Sequence, residues 1–375
     1  MEKLNTEQFL WRAKDALIID VRSPGEYQHA HIPGAINIPL FTDEERKVVG
    51  TAYKQVSRKE AIKIGLDYFG PKMKKIVEEV EELICSKQLA AGTSFTNCRA
   101  PAATPVFVHC WRGGMRSSAV AWLLNLYGFK VCTLSGGYKA YRNHVLQTFE
   151  KPFQLKVLGG FTGSGKTEIL KQLEKEGETV IDLESIALHK GSAFGNINMP
   201  PQPSQEMFEN VLANELWRKS LVNGQCPKEP EDSPLTTHYA PVWLEDESQR
   251  IGHVNIPNAF WHTMRNSPVY FLEIPFEKRL DHITEEYSKC DFERLKNAVE
   301  RISKRLGGLD TKLAMAALLQ NDFKECFRIL LKYYDKHYLR GLHNRENLQA
   351  LLQIIKTDSV TTENVNLLLT KHQPV

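Results

Sequence analysis

Cys110 is the residue whose neighbours point most directly to chemistry. It follows the apolar run PVFVH, and the next six residues include Arg112, Gly113, Gly114 and Arg116. A strand, a short loop and a helix in this order turn backbone N–H groups toward the sulfur, and the helix dipole and the arginines favour its thiolate. The glycines let an anion approach. The pattern predicts Cys110 as a nucleophile and the other four residues as an anion-binding loop.

These residues alone leave three interpretations of Cys110 open. Its thiolate could accept sulfur or selenium and carry it as a persulfide-like group. Because five residues separate Cys110 from Arg116, it could instead attack phosphorus, as in phosphatases with a C-x5-R loop. It could also be a buried space-filling residue, since free cysteine is among the most buried residue types. The seven cysteines form no CxxC pair, so neither a zinc site nor a disulfide framework is indicated.

A second motif lies at residues 160–167, where GFTGSGKT fits the pattern G-x-x-x-x-G-K-[ST]. In such a loop, glycines let backbone N–H groups converge on phosphate, and the following helix adds its dipole. The lysine supplies a positive charge, and the hydroxyl can hold Mg²⁺. The predicted diphosphate- or triphosphate-binding residues are Gly160, Gly163, Ser164, Gly165, Lys166 and Thr167, with Thr167 as the candidate Mg²⁺ ligand.

The acidic residue that usually holds the metal of such a site is not evident. An NTPase places an acid after a second apolar strand, and the candidates are Asp182, Glu245 and Asp246. None of the three stands out from an ordinary surface acid at a strand end. A phosphate-binding loop by itself therefore does not establish ATP hydrolysis.

Strands and helices alternate along the chain, which predicts parallel sheets that position both motifs. Short apolar runs predict strands at 16–22, 36–40, 105–109, 130–134, 155–160, 179–184, 240–246 and 268–274. Ser117 and Ser118 are candidate caps of the helix after Cys110. From Pro275 onward the pattern is almost entirely helical.

The predicted fold class is therefore α/β with two domains. Residues 1–148 form a parallel-sheet domain that carries Cys110, and residues 149–375 form a P-loop α/β domain with a helical C-terminal region. The segment EKPFQ (150–154) is a plausible linker between them.

Composition is that of a soluble globular protein, with 48 Lys and Arg against 45 Asp and Glu. The net charge of +3 permits a nucleic-acid partner without indicating one. No apolar run is long enough for a membrane helix, and the N-terminus lacks the apolar core of an export signal. A cytoplasmic protein without a membrane partner is expected, and the sequence does not indicate its oligomeric state.

The first domain resembles the rhodaneses, which are sulfurtransferases. The resemblance rests on DVRSPGEY (20–27), HIPGAINIP (31–39), the cysteine loop and LSGGYKAY (134–141). It implies that Cys110 carries a persulfide, and it favours sulfur or selenium transfer over the phosphatase alternative. Asp20 and Arg22 of this pattern are expected to be structural rather than catalytic.

The whole chain resembles the tRNA 2-selenouridine synthase family, in which a rhodanese domain precedes a P-loop domain. Besides both loops, the resemblance includes FTDEERKVVGTAYKQ (41–55), DLESIALHKGSAFG (182–195) and VWLEDESQRIG (242–252). It implies that geranyl diphosphate alkylates the sulfur of wobble 2-thiouridine in tRNA and that selenium from selenophosphate then replaces the S-geranyl group. Partners would be tRNA and a supplier of selenophosphate. No tightly bound cofactor is implied, although Mg²⁺ could assist at Thr167.

Four further residues are weaker site candidates, namely Asp182, His189, Lys190 and Arg250. Lys190 could contact phosphate or tRNA, and His189 could act as an acid–base group or only fill a turn. Arg250 follows a strand end, where α/β sheets bind ligands, and could meet the diphosphate or remain a solvated charge.

RISKRL (301–306) and KYYDKHY (332–338) interleave basic and aromatic residues. They could bind tRNA or form ordinary amphipathic helices.

Two other functions remain open at this stage. One is a sulfurtransferase coupled to an ATP-dependent kinase or ligase domain. The other is a non-enzymatic sulfur-relay module with a regulatory nucleotide site, which the intact Cys110, Lys166 and Thr167 disfavour.

Overall fold

The computed structural model describes residues 1–90, 105–197, 199–219 and 240–370. The chain folds into two compact units, Met1–Gln147 and Thr148–Val375. Cys98 and Cys226 lie outside the described residues.

The first unit is built on a parallel five-stranded sheet with strand order β1-β5-β4-β2-β3. Its strands are β1 (Glu2–Leu4), β2 (Leu17–Asp20), β3 (Ile36–Asn37), β4 (Val106–His109) and β5 (Val131–Leu134). Strands β2, β4 and β5 are buried throughout, as expected for central strands of a covered parallel sheet. The predicted parallel sheet is confirmed, and β1 is an additional edge strand that the sequence did not indicate.

Helices surround this sheet. They are α1 (Thr6–Arg12), α2 (Pro24–His29), α3 (Asp43–Gln55), α4 (Arg58–Phe69), α5 (Met73–Ala90), α6 (Met115–Tyr127) and α7 (Gly137–Thr148), with a 3₁₀ turn at Gly70–Lys72. The predicted caps of α6 are wrong, because α6 begins at Met115 and its cap position is Gly114. Ser117 lies inside the first turn, and its hydroxyl donates to the carbonyl of Gly114 (3.1 Å).

The second unit is built on another parallel five-stranded sheet, with strand order β12-β11-β6-β8-β7. Its strands are β6 (Leu155–Gly160), β7 (Thr179–Ile181), β8 (Val242–Glu245), β11 (Val269–Glu273) and β12 (Leu352–Lys356). A separate antiparallel pair joins β9 (Arg250–Ile251) to β10 (Val254–Asn255).

Strand β12 is an additional strand in the C-terminal region, whose pattern was expected to be almost entirely helical. It pairs in parallel with β11 along its whole length. Its partner strand β11 ends 79 residues before β12 begins. The local sequence pattern therefore did not reveal the pairing.

The helices of the second unit are of two kinds. Some pack around the sheet: α8 (Lys166–Lys175), α9 (Leu183–Ala187), α10 (Gln205–Lys219), α11 (Asn258–Arg265), α16 (Leu348–Leu351) and α17 (Val365–Thr370), with a 3₁₀ turn at Thr362–Asn364. The others lie between β11 and β12 in sequence: α12 (Phe276–Tyr287), α13 (Phe292–Leu306), α14 (Gly308–Leu319) and α15 (Phe323–His343).

Helices α12–α15 share a hydrophobic core of their own. It includes Leu280, Val299, Leu318, Phe327 and Leu330, all at most 3% exposed. Because α13 has a strongly one-sided apolar pattern, its buried residues face this core and its charged residues face outward. The helical region is therefore a packed layer inserted between two neighbouring strands.

Candidate functional site

The cysteine loop lies where β4 ends and α6 begins. Cys110 is 3% exposed, and its Sγ lies 3.2 Å from the hydroxyl of Ser117 in the first turn of α6. The sulfur thus lies beneath the loop formed by residues 111–114, beside a hydroxyl that can donate to it or accept from it.

A second glycine-containing turn, residues 135–137, closes over this loop. The backbone N–H groups of Tyr138 and Lys139 donate to the carbonyls of Cys110 (2.8 Å) and Trp111 (2.9 Å). Gly137 has a φ of +61°, and a Cβ there would lie 2.3 Å from the Cys110 carbonyl oxygen. Only glycine fits this contact, which explains the LSGGY segment physically.

The two arginines of the loop differ in their partners. Arg116 Nη1 donates to Glu26 Oε2 (2.8 Å), whereas Arg112 is exposed and has no carboxylate partner among the described residues. Burial alone would raise the pKa of Glu26, but the hydrogen bonds and charges of Arg116 and Arg46 lower it to about 2. Arg116 was predicted to bind the anion; in the structure it shares the single carboxylate of Glu26 with Arg46, so its charge is only partly compensated.

Asp20 and Arg22 form a buried network behind the loop. Arg22 Nε donates to both Asp20 oxygens, Oδ1 at 3.0 Å and Oδ2 at 2.9 Å, and Nη2 donates to Oδ2 at 2.6 Å; the guanidinium stacks on Tyr138. Both side chains are at most 1% exposed. Desolvation lowers the pKa of the neighbouring His109 to about 4, although the charge of Asp20 opposes that shift. These contacts agree with the structural role expected for Asp20 and Arg22.

The phosphate loop connects β6 to α8. Gly160, Gly163 and Gly165 all have positive φ angles, of 154°, 80° and 72°. A Cβ on Gly163 would lie 2.9 Å from the carbonyl oxygen of Arg279, so a close approach of backbone also requires glycine there. Lys166 Nζ donates to the Gly160 carbonyl (3.1 Å), which places its charge at the mouth of the loop.

Glu245, at the end of β8, is the acid that the loop contacts. The hydroxyl of Thr167 donates to Glu245 Oε1 (2.9 Å), and Glu245 is 1% exposed. Its Oε2 is buried and has no hydrogen-bond partner within the described part of the chain. The other two candidates have different partners: Asp182 caps α9 by accepting from Ser185 N–H (2.8 Å), and Asp246 lines the cleft but binds Arg345.

Two carboxyl groups that the sequence analysis missed lie beside Glu245. Oxygen atoms of Glu184, Glu245 and Glu247 all lie within 4.8 Å of one another. Desolvation and mutual repulsion raise the pKa of Glu184 and of Glu247 to about 8, against the opposing charge of Lys166. Desolvation, followed by the charges of Glu184 and Asp182, raises the pKa of Glu245 as well. Carboxylate oxygens this close together are of the type that binds Mg²⁺ or Ca²⁺.

The phosphate loop opens into a cleft of about 810 Å³. One wall carries the loop and the carboxyl cluster. The other wall is aromatic and basic and comes from α11, α12, α13 and α15; its residues include Trp261, Arg265, Tyr287, Arg305, Tyr333, Tyr334, His337 and Tyr338. RISKRL and KYYDKHY therefore contribute side chains to this cleft, whereas the α11 and α12 residues were not anticipated.

Helix α15 is tied directly to the phosphate loop. Tyr338 accepts from the Gly160 N–H (3.1 Å) and donates to Asp246 Oδ2 (2.7 Å). Arg279 of α12 donates to the Thr162 carbonyl (3.0 Å) and pairs with Asp335 of α15 (2.7 Å). The loop conformation thus depends on helices far away in sequence.

Of the four weaker site candidates, one lines the cleft and three do not. Lys190 lines the cleft and pairs with Glu286 (2.6 Å). His189, Asp182 and Arg250 are not among the residues that line it. Arg250 Nε donates to the Gly252 carbonyl (2.9 Å), so its charge is turned toward its own β9–β10 hairpin.

Comparison with known proteins assigns both units. Residues 6–144 match the rhodanese-like domain model, and residues 153–361 match the model of the tRNA 2-selenouridine synthase AAA domain. A tRNA 2-selenouridine synthase of Sulfurovum sp. (strain NBC37-1) is 33% identical over 86% of this chain and 87% of its own. The chain belongs to the tRNA 2-selenouridine synthase family.

Other members of the tRNA 2-selenouridine synthase family match to a similar extent. The protein of that name from Bdellovibrio bacteriovorus is 33% identical over 88% of this chain and 89% of its own, and that from Nitrosomonas europaea is 31% identical over 88% and 90%. Among solved structures, an N-terminal domain from Clostridium difficile 630, described as that of an ATP/GTP binding protein, is 36% identical and covers 39% of this chain and 99% of that one. Its TM-score of 0.31 is too low to support a conclusion about the fold.

In the described part of this family member, no helix is long and apolar enough to cross a membrane.

Proposed function

We propose that this protein converts the wobble 2-thiouridine of tRNA to 2-selenouridine in two steps. In the first, geranyl diphosphate alkylates the sulfur; in the second, selenium from selenophosphate replaces the S-geranyl group. The observation that carries the proposal is a cleft in which a phosphate loop faces aromatic and basic residues, in a chain whose other unit holds a cysteine loop.

The first step needs a bound diphosphate and an apolar carbon chain beside a nucleobase. The thiouridine sulfur forms a bond to C1 of the geranyl group, the C1–oxygen bond breaks, diphosphate leaves, and the N3 proton passes to solvent. Lys166 and the N–H groups of the loop neutralise charge that develops on the leaving diphosphate. The aromatic wall supplies the surface on which the base and the prenyl chain lie.

A divalent cation fits the same site. The hydroxyl of Thr167 and the buried Oε2 of Glu245, which has no hydrogen-bond partner among the described residues, are oxygen ligands of the kind that hold Mg²⁺ in P-loop proteins. Glu184 and Glu247 lie close enough to complete the set. When bound, the ion would add positive charge beside the diphosphate; the chain's own residues still bind and orient it.

The second step is assigned to Cys110 and Arg112. Overall, selenophosphate and water give orthophosphate and place selenium on C2 of the base, geranylthiol leaves, and N3 regains a proton, so no net oxidant is needed. Arg112 is positioned to attract the anion, and Cys110 is the candidate nucleophile. Its thiolate attacks phosphorus, so that the S–P bond forms as the P–Se bond breaks and selenide is released to C2 of the base; water then cleaves the S–P bond and gives orthophosphate. The buried position of Cys110 beside Ser117 protects its sulfur from bulk solvent.

The proposal is tested with the full-length protein, tRNA bearing 2-thiouridine, geranyl diphosphate and nucleoside mass spectrometry. We expect a geranylated nucleoside, and selenouridine once selenophosphate is added. Lys166→Ala should reduce geranylation at least tenfold, because the leaving group loses its charge partner. Cys110→Ala should abolish selenium incorporation and leave geranylation intact. Absence of any geranylated nucleoside with the wild-type protein would refute the first step.

An ATP-dependent kinase or ligase coupled to sulfur transfer is the second candidate, since a phosphate loop with a Thr–Glu pair also suits ATP and Mg²⁺. It predicts ATP hydrolysis that depends on Glu245. Under our proposal, tRNA modification does not require ATP, whereas the second candidate predicts phosphate release from ATP. Phosphate release is therefore measured with and without geranyl diphosphate, which lowers it only if ATP and geranyl diphosphate bind the same loop.

A further inference from the structure

The rim of the cleft carries positive charge that the diphosphate site does not use. Arg305 of α13 lines the cleft, and Lys336 and Arg340 project from α15. All three are exposed, and none has a carboxylate partner within ion-pair distance among the described residues. Partial desolvation of the ring lowers the pKa of His337, and the nearby charges of Arg340, Arg305 and Lys336 lower it further.

Aromatic rings lie directly beside these cations. Tyr333 and His337 are one helical turn apart on α15, and their ring centroids are separated by 4.4 Å. Lys336 and Arg340 occupy the same face of the helix, about 6 Å apart along its axis. A single face of α15 thus alternates rings that can stack with charges that can pair.

The opposite side of the same helix serves the phosphate loop. Asp335 and Tyr338 bind Arg279 and the Gly160 N–H. Within the cleft, Lys166 and Lys171 already face the phosphate end. The cations at the rim are therefore available to an anion that extends beyond the cleft, and the rings beside them suit one that carries bases as well as phosphates.

We infer that Arg305, Lys336 and Arg340, together with Tyr333 and His337, form the surface that binds the single-stranded anticodon loop of the substrate tRNA. Sequence-selective RNA binding commonly stacks unpaired bases on aromatic side chains while basic side chains contact phosphates. The inference rests on the proposed function for the identity of the RNA, and it goes beyond that function by assigning the docking surface.

The test measures binding of fluorescent tRNA to the full-length protein at several salt concentrations. The triple variant Arg305→Gln, Lys336→Gln, Arg340→Gln should bind at least tenfold more weakly, and the slope of log affinity against log salt should fall by about 2, since each single-strand phosphate contact contributes about 0.7. Lys175→Gln, an exposed residue in the last turn of α8, is the matched control and should change neither quantity.

Stacking is tested separately. Tyr333→Ala should weaken binding about fivefold or more, whereas Tyr333→Phe retains the ring and should bind as the wild type does. A duplex RNA of equal length should show no penalty in the Tyr333→Ala variant, because its bases are not available to stack.

The outcomes separate this inference from the function it builds on. If the triple variant binds tRNA with unchanged affinity and slope, the surface is wrong even when the wild type modifies tRNA. If the wild type fails to geranylate but the triple variant loses tRNA binding and the control does not, the surface stands and the proposed chemistry is wrong. Weakened binding of ATP with unchanged binding of tRNA would also overturn the inference.

Discussion

Replacing Asp246 by Asn should strongly destabilise the second unit near its phosphate loop. Asp246 accepts two hydrogen bonds from Arg345, at 2.6 and 3.0 Å, and the arginine side chain is 0% exposed. It also accepts from Tyr338 (2.7 Å). The amide keeps the shape of the side chain and one acceptor but removes its charge.

The expected loss is about 3–5 kcal/mol, the usual result when one member of a buried ion pair is removed and the other charge stays buried. A surface pair would contribute at most about 1 kcal/mol. The difference between these two ranges is large enough for the experiment to decide which one applies.

Peptide-resolved hydrogen exchange on the full chain measures the effect where it occurs. Exchange of β6 and β11 amides should accelerate by a factor of a hundred or more, whereas the strands of the first unit provide an internal reference and should not change. The double variant Asp246→Asn, Arg345→Met should recover most of the loss, since no unpaired charge remains. A single-variant loss below about 1 kcal/mol would refute the assignment of a buried, mutually dependent pair.

Three further predictions concern single positions. Gly137→Ala should lower the unfolding temperature of the first unit by several degrees and speed alkylation of Cys110, because a Cβ at φ +61° would lie 2.3 Å from the Cys110 carbonyl oxygen. The pKa of Glu247 is raised to about 8, so its contribution to stability is present below about pH 4.5 and is lost as the pH rises to 8. In thermal unfolding between pH 6 and 9, Glu247→Gln should therefore lose less stability than the wild type. Mg²⁺ should restore the stability of the wild type at pH 9. The pKa of Glu26 is lowered to about 2, so its contribution to stability is present above about pH 4.5 and is lost toward pH 2. At pH 7 the wild type should be more stable than Glu26→Gln by about 1 kcal/mol, after solvent screening, and this difference in unfolding free energy should disappear in acid titrations. A difference that grows toward pH 2 would contradict the Arg116 contact.

The architecture was largely predictable because its information is local. Short apolar runs bounded by glycine and charge identify most strands of both sheets, and a glycine-rich loop followed by Lys166 is specific enough to place the phosphate site. Strand β12 was missed because it lies in a mainly helical region and its partner β11 ends 79 residues before it begins. A pattern read along the chain carries no information about that partner.

The site was less predictable because its remaining parts are assembled across long sequence separations. Glu184 lies two residues beyond Asp182, yet the cap geometry of α9 uses Asp182 locally and turns Glu184 toward the phosphate loop. The pairing of Arg116 with Glu26 joins residues 90 positions apart. Charged residues of these types look alike in sequence, and only the fold decides which of them meet.

The position of β12 has a consequence for synthesis on the ribosome. The first unit can complete its sheet once β5 and the helix after it have been made. In the second unit, the strands that flank the phosphate loop emerge early, but the sheet acquires its last edge strand only after all of α12–α15 has been translated. Closing so long a connection delays the final pairing. The phosphate loop, whose backbone is held by α12 and α15, therefore reaches its working shape late, long after the cysteine loop is complete.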